Sequence, residues 1–266
     1  MDVLYYIIFL PIVAGMVLFA FPEKLKWLKA MVTLIVTVVV VYFTYQVYLS
    51  EEQTLTLSLF TEQFTAGTFL HTIFSGISKH FVLNIDPLSQ MIVLFTGIFG
   101  VIISIYSLVY VTRKKGIYHY YPFYLITLGC SIGAVLSDDL LFFIFFWGVL
   151  GFTLYKLIKG YNEESSAAAK KSLIIIGSSD GVMIMGIAII WSMTGNLNMS
   201  ELNIATNSGI AVTAFITLLI GSFTKAGAFP FHTWLPDFSK NAPATTTAYL
   251  PASLDKLLGI YFLARI

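Results

Sequence analysis

An all-α, polytopic transmembrane bundle of about eight spans is the fold class this sequence predicts, on three observations. The 266 residues are 58% hydrophobic and only 11% charged, with a mean hydropathy of +0.85, whereas a soluble domain carries about 25% charged residues. The apolar residues gather into runs of about 20, the length that crosses a bilayer. The basic residues alternate between successive loops, as they do when one side of a membrane collects them.

The expected spans are 3–21, 31–49, 88–111, 121–137, 139–158, 172–193, 209–226 and 247–266. The first begins Met-Asp-Val and its lysines follow the apolar run, so it reads as a retained helix and not a cleaved signal. Residues 50–86 form a long loop in which Thr54–Leu59, TLTLSL, alternates at the strand period and predicts a small hairpin. Ser137, Asp138 and Asp139 make a tight turn between the fourth and fifth spans, and the two aspartates read as solvated turn residues, an ion mouth being the alternative. Phe142–Trp147, FFIFFW, reads as a lipid-facing or packing surface. Residues 209–240 are too many for one span, and Gly227 and Pro230 fall inside them. Proline removes a backbone donor and clashes with the preceding turn, so the seventh helix is expected to be discontinuous. Broken backbone at membrane depth is tolerated only where protein or water shelters it.

Of the 15 basic residues, eleven fall in the loops after the first, third and fifth helices and before the eighth, among them Lys24, Lys29, Arg113, Lys159, Lys171 and Lys240. The opposite loops hold only Lys79. Lys and Arg accumulate in the cytoplasm, which places the N-terminus outside a multi-pass protein of the cytoplasmic membrane.

Several function classes are excluded. A net charge of +1 argues against a nucleic-acid partner. A single cysteine, Cys130, cannot build an iron–sulfur cluster, a zinc site or an internal disulfide. No dinucleotide fingerprint or phosphate-cradling loop is present; Gly177–Gly181 lies within an apolar helix and lacks the following Lys-Ser/Thr. No cofactor or metal is expected in this chain.

What remains is charge inside the spans. An ammonium near the bilayer centre costs roughly 2.5–3.5 kcal/mol on insertion scales and usually marks an ion path. Lys225 ends the first half of the broken helix and reads as a proton carrier; a snorkelling lysine is the alternative, and the adjacent break favours the carrier. Lys256 lies about 12 Å into the last span and reads as a relay member, a structural ion pair being the alternative. Asp255 precedes it, and the two side chains diverge by about 100° around a helix. Asp180, mid-way along the sixth span, is either the counter-charge to a lysine or a satisfied structural carboxylate. His232 is either a relay or a histidine bonded to backbone. His71, His80 and His119 read as surface residues.

The stretch Lys225–Asp237, KAGAFPFHTWLPD, resembles the signature of the antiporter-like subunits of respiratory complex I, multisubunit Na⁺/H⁺ antiporters and membrane-bound hydrogenases. Further stretches that look like the family follow its order: Ile85–Ser89 (IDPLS), Leu136–Leu141 (LSDDLL) and Ala167–Lys171 (AAAKK) followed by Asp180. Leu250–Tyr261, LPASLDKLLGIY, is most similar to the energy-converting hydrogenase branch, including hydrogenase-4 and formate-hydrogenlyase types. The resemblance implies a division into 1–120, helices one to three with their outer loop, and 121–266, an antiporter-like repeat of helices four to eight. It implies that Lys225 is the central lysine and Lys256 the next relay member. It also implies a non-redox, H⁺- or Na⁺-translocating subunit of a redox-driven complex. Its partners would be lipid, other membrane subunits and a peripheral redox arm that carries iron–sulfur and NiFe centres. A component of a cation/proton antiporter, or of an inorganic-carbon uptake complex, is the alternative, and a structural scaffold is a third. Two departures stand out. The family usually has a glutamate after the tryptophan of its fifth helix, where Trp147 is here followed by Gly148. Family members generally continue into a second inverted repeat, so this sequence is either a fragment or a shortened paralogue, and in the second case a neighbouring subunit would complete the path.

Overall fold

The computed structural model describes residues 2–51, 53–56, 80–113, 119–159 and 162–266; Leu57–Leu59, His71, Lys79, Lys114 and Lys115 lie outside them. Helices α1 (Asp2–Phe19) and α2 (Lys26–Tyr48) meet at an elbow formed by a 3-10 turn, Glu23–Leu25. An antiparallel ribbon follows, β1 (Gln53–Thr56) against β2 (Val82–Ile85), with Gln53 opposite Ile85. Then come α3 (Pro87–Arg113), α4 (Tyr120–Leu136), α5 (Leu140–Ile158), α6 (Glu163–Thr194), α7 (Gly209–Ala226), α8 (Trp234–Asn241), α9 (Ala244–Tyr249), a π turn (Leu250–Leu254) and α10 (Asp255–Arg265).

The expected all-helical membrane fold is present. Five described helices, those containing α2, α3, α5, α6 and α7, are long and apolar enough to cross a membrane, while α1 and α4 are shorter apolar helices. The eighth expected run is not one helix. Pro251 lacks an amide to donate, and the chain answers with a π turn whose last bond runs from the Asp255 amide to the Leu250 carbonyl. Two segments are therefore interrupted, not one. Helix α6 also starts earlier than expected. Asn162 accepts from the Ser165 amide at 2.6 Å, and the Ser165 hydroxyl accepts from the Asn162 amide at 2.9 Å. That capping box precedes three alanines, so the expected loop winds as helix. With 32 residues, α6 is about 48 Å long, well beyond a hydrocarbon core of about 30 Å.

Helices alternate in direction, so the bundle has a ribbon end and an elbow end. At the ribbon end Asp138 and Asp139 are buried, not solvated as the turn suggested. Asp138 accepts from the Ser200 amide at 3.0 Å and its hydroxyl at 2.6 Å. Asp139 caps α5 by accepting from the Leu141 amide at 2.8 Å, and it pairs with His80 Nδ1 at 2.7 Å. Arg265 closes the same end by pairing with Asp86. At the elbow end Glu23 takes Lys29 at 2.7 Å and His119 at 3.3 Å, and Lys171 of α6 pairs with Asp237 of α8 at 2.5 Å. His119 is exposed, as expected, and His80 half-buried, and each meets a carboxylate from another segment.

With little hydrophobic drive between helices in lipid, close packing decides where they cross. A side chain at Gly15 of α1 would lie 2.7 Å from the Pro122 carbonyl of α4, and one at Gly97 of α3 would lie 2.8 Å from the Thr44 hydroxyl of α2. The run Phe142–Trp147 divides: Phe142, Phe143, Phe146 and Trp147 are buried, whereas Phe145 faces outward.

Candidate functional site: a buried lysine between two carboxylates

The site begins with how α7 ends. Gly227 has φ +68, a left-handed conformation that favours glycine, and a side chain there would strike Leu235. The Ala228 amide donates to the Phe223 carbonyl at 2.8 Å and the Gly227 amide to Thr224 at 3.2 Å, a Schellman closure. Trp234 Nε1 adds a further donor to the Thr224 carbonyl at 3.0 Å. Lys225 therefore stands in the last turn of a helix, where the dipole favours a cation. Pro230 lies in the connection to α8, after a cis peptide bond from Phe229. The expected break at Gly227 and Pro230 is where the structure has it.

Gly259 brings the second helix in. A side chain there would lie 2.7 Å from the Ala226 amide nitrogen, so α10 lies directly on the end of α7. The Ser222 hydroxyl donates to the Gly259 carbonyl at 2.6 Å and fixes the crossing. One turn before Gly259, on the same face, sits Asp255. Its Oδ1 is 3.9 Å from the Lys225 Nζ, with the two side chains 1% and 0% exposed. Neither the lysine nitrogen nor either carboxylate oxygen has a hydrogen-bond partner among the described residues. Buried polar groups are nearly always bonded, so among the described residues these two charges have only each other.

The third helix contributes through an indole. Trp147 of α5 is fully buried, and its ring centroid is 5.0 Å from the Lys225 Nζ. Its Nε1 donates to Asp180 Oδ1 of α6 at 2.8 Å. Phe143 and Phe262 hold the indole, with ring centroids 5.0 and 5.7 Å away. Lys225, Asp255 and Asp180 are thus brought into one cluster. Trp147 completes it, a residue that sequence reasoning sets aside with its aromatic neighbours. Gly148, where the family usually has a glutamate, is exposed, with nothing within 4 Å of where a Cβ would be.

Lys256 and His232 stand apart. Lys256 points away from Lys225, as the 100° divergence from Asp255 requires, and is exposed. It lines an open groove with Gly227, His232 and Pro251. The His232 ring is 5.7 Å from that of Phe229, and its Nδ1 is buried with no partner among the described residues. Among the described residues no group of His, Cys, Asp and Glu is arranged to hold a metal.

Residues 137–266 match the profile of the NADH:quinone oxidoreductase/Mrp antiporter transmembrane family. They include every member of the cluster just described. Antiporter-like relatives extend the likeness. The chain is 32% identical over 212 residues to a Na⁺/H⁺ antiporter subunit of Alkalihalophilus pseudofirmus, an alignment over 76% of this chain and 26% of that protein. It is 31% identical to a Na⁺/H⁺ antiporter subunit of Staphylococcus haemolyticus, over 79% of this chain and 27% of that one. The chain thus spans about a quarter of the length of the curated relatives it matches. Among solved structures, an archaeal membrane-bound sulfane sulfur reductase matches with a TM-score of 0.78 at 19% identity, over 99% of this chain and 53% of that one. The Mrp complex of Dietzia sp. DQ12-45-1b matches at 0.75 with 20% identity, over 98% of this chain and 27% of that one. Respiratory complex I of Thermus thermophilus matches at 0.73 with 18% identity, over 99% and 53%. These establish an antiporter-like membrane fold; they do not single out the hydrogenase branch that the last span resembles.

Proposed function

We propose that this chain carries a step of H⁺ or Na⁺ translocation as a membrane subunit of a multisubunit complex. One observation carries the reading: two opposite, fully buried charges, Lys225 and Asp255, face each other at 3.9 Å, without hydrogen-bond partners among the described residues, where two interrupted helices cross. At that distance their attraction is about 4 kcal/mol at an effective dielectric of 20. Passing one proton from the ammonium to the carboxylate makes a neutral pair of the ion pair, with net charge conserved. A charge arriving nearby then decides which state is favoured. We assign the proton's exit to the open groove that Gly227, His232, Pro251 and Lys256 line. We place the chain in the cytoplasmic membrane with its elbow end, rich in lysine, inside.

Two settings for this step remain in view. In a redox-driven complex, partner subunits with iron–sulfur and NiFe centres would supply the arriving charge. In a cation/proton antiporter, an opposing cation gradient would supply it, and the names of the curated relatives favour this second setting. Purification in mild detergent with mass spectrometry of copurifying chains separates them, because iron–sulfur subunits appear only in the first. Lys225→Ala is expected to lower coupled transport by at least about 100-fold while the complex still assembles. Wild-type transport by that variant would reject the carrier role.

A further inference from the structure

Lys225, Asp255 and Asp180 bring two carboxylates to one ammonium, so the fully ionised cluster carries an excess negative charge. Lys225 and Asp255 are sealed inside and take each other. Asp180 is the member at the surface. It is half-buried, it accepts from Trp147 through Oδ1, and among the described residues no cation forms an ion pair with it. It stands about 14 Å along α6 from Lys171, at 1.5 Å per residue, near the middle of a hydrocarbon core about 30 Å thick. Carboxylates at that depth face a bundle interior or water, or they pair with a cation.

The surface beside Asp180 is cut away. On α5, exposed Phe145 and Phe152 stand on either side of Gly148 along one face; on α6, exposed Ile174 and Met185 stand on either side of Gly177 and Gly181. A Cβ at any of these three glycines would meet nothing within 4 Å. Gly151, one turn from Gly148, would bring a Cβ to 3.7 Å from Asp180 Oδ2. Large side chains above and below with glycines between them make a notch, and a carboxylate lies on its flank. In lipid, small residues let helices approach closely, and close packing with polar contacts holds them together.

We propose that the outward face of α5 and α6 is an interface. It takes a transmembrane helix of a neighbouring subunit, whose Lys or Arg side chain enters the notch and pairs with Asp180. The sign of that partner follows from the charges: one more cation brings the cluster to neutrality, and the side on which the cluster is exposed is Asp180's. Lys and Arg carry their charge at the end of a long apolar stem, which lets a helix packed on the glycines reach a half-buried oxygen. This inference rests on the reading of the chain as a membrane subunit of a multisubunit complex.

The test uses the assembled complex and a membrane-soluble reagent, dicyclohexylcarbodiimide, which adds to a neutral carboxyl and not to one held in an ion pair. Labelling is read by mass spectrometry of the α6 peptide. Asp180 in the wild-type complex is expected to resist the reagent. Gly181→Leu places its Cβ where nothing of this chain lies within 4 Å, so the chain itself tolerates it. The added side chain fills the notch and is expected to release one neighbouring subunit and to raise labelling of Asp180 about tenfold. Asp180→Lys sets two cations face to face and is expected to release the same subunit; changing that subunit's intramembrane Lys or Arg to Glu restores the contact. Equal labelling of Asp180 in the wild-type and Gly181→Leu complexes would overturn the proposal, as would retention of every subunit by both variants. Protection that follows Na⁺ concentration instead of the neighbour would also overturn it, by assigning Asp180 to a free ion. A chain that copurifies with no other subunit would instead reject the multisubunit reading itself, so the two failures are told apart.

Discussion

Two pairs of aspartates occupy this bundle, and they are buried for different reasons. At the ribbon end, Asp138 and Asp139 accept hydrogen bonds from Ser200, Leu141 and Phe142, and Asp139 also meets His80. They cap a helix and tie loops. Mid-bundle, among the described residues, Asp180 receives one bond, from Trp147, and Asp255 receives none. Burial is common to Asp138, Asp139 and Asp255, so burial does not distinguish structure from function. Satisfaction among the described residues does: Asp138 and Asp139 have their acceptors filled by groups that tie the fold, whereas Asp255 faces only an ammonium.

That contrast can be broken at several points. The largest expected effect comes from replacing the open pair with apolar side chains of similar size, Lys225→Met with Asp255→Leu. Transport should fall by more than about 100-fold, while the complex melts at the same temperature or higher, because a buried ion pair can often be replaced without loss of stability. A sharp fall in melting temperature would make the pair structural. Next, Asp138→Ala strips the Ser200 amide and hydroxyl of their acceptor and is expected to cost about 1–3 kcal/mol of stability. Transport per assembled complex should stay unchanged; a selective transport defect would erase the distinction drawn here. The smallest effect is expected from Lys171→Ala, whose partner Asp237 is also half exposed, at about 0–1 kcal/mol by thermal unfolding.

The helices were legible because apolar runs of spanning length leave few alternatives, and the break in α7 was legible from Gly227 and Pro230. Other features were less so. Asn162 and Ser165 hold a capping box whose signal was present, yet the charged stretch around them read as loop. Pro251 carried the same warning as Pro230 and marks the second break. Which of Asp255 and Lys256 turns inward was not decided by their adjacency. Gly259 decides it, since a glycine four residues after Asp255 shares its face and permits the close crossing, whereas Lys256 shares its side with exposed Ile260. Trp147 was hidden among phenylalanines, although only its indole has a polar edge that a buried site must satisfy.

The winding of the five residues before Asp255 has a consequence of its own. A π turn holds one residue more than the α-helix around it, and one residue is worth about 100° of rotation. Wound as ordinary α-helix, the identical side chains would be present, but the acid would no longer look at the amine. The meeting of those two charges is therefore stored in the pitch of the backbone as much as in the residue types.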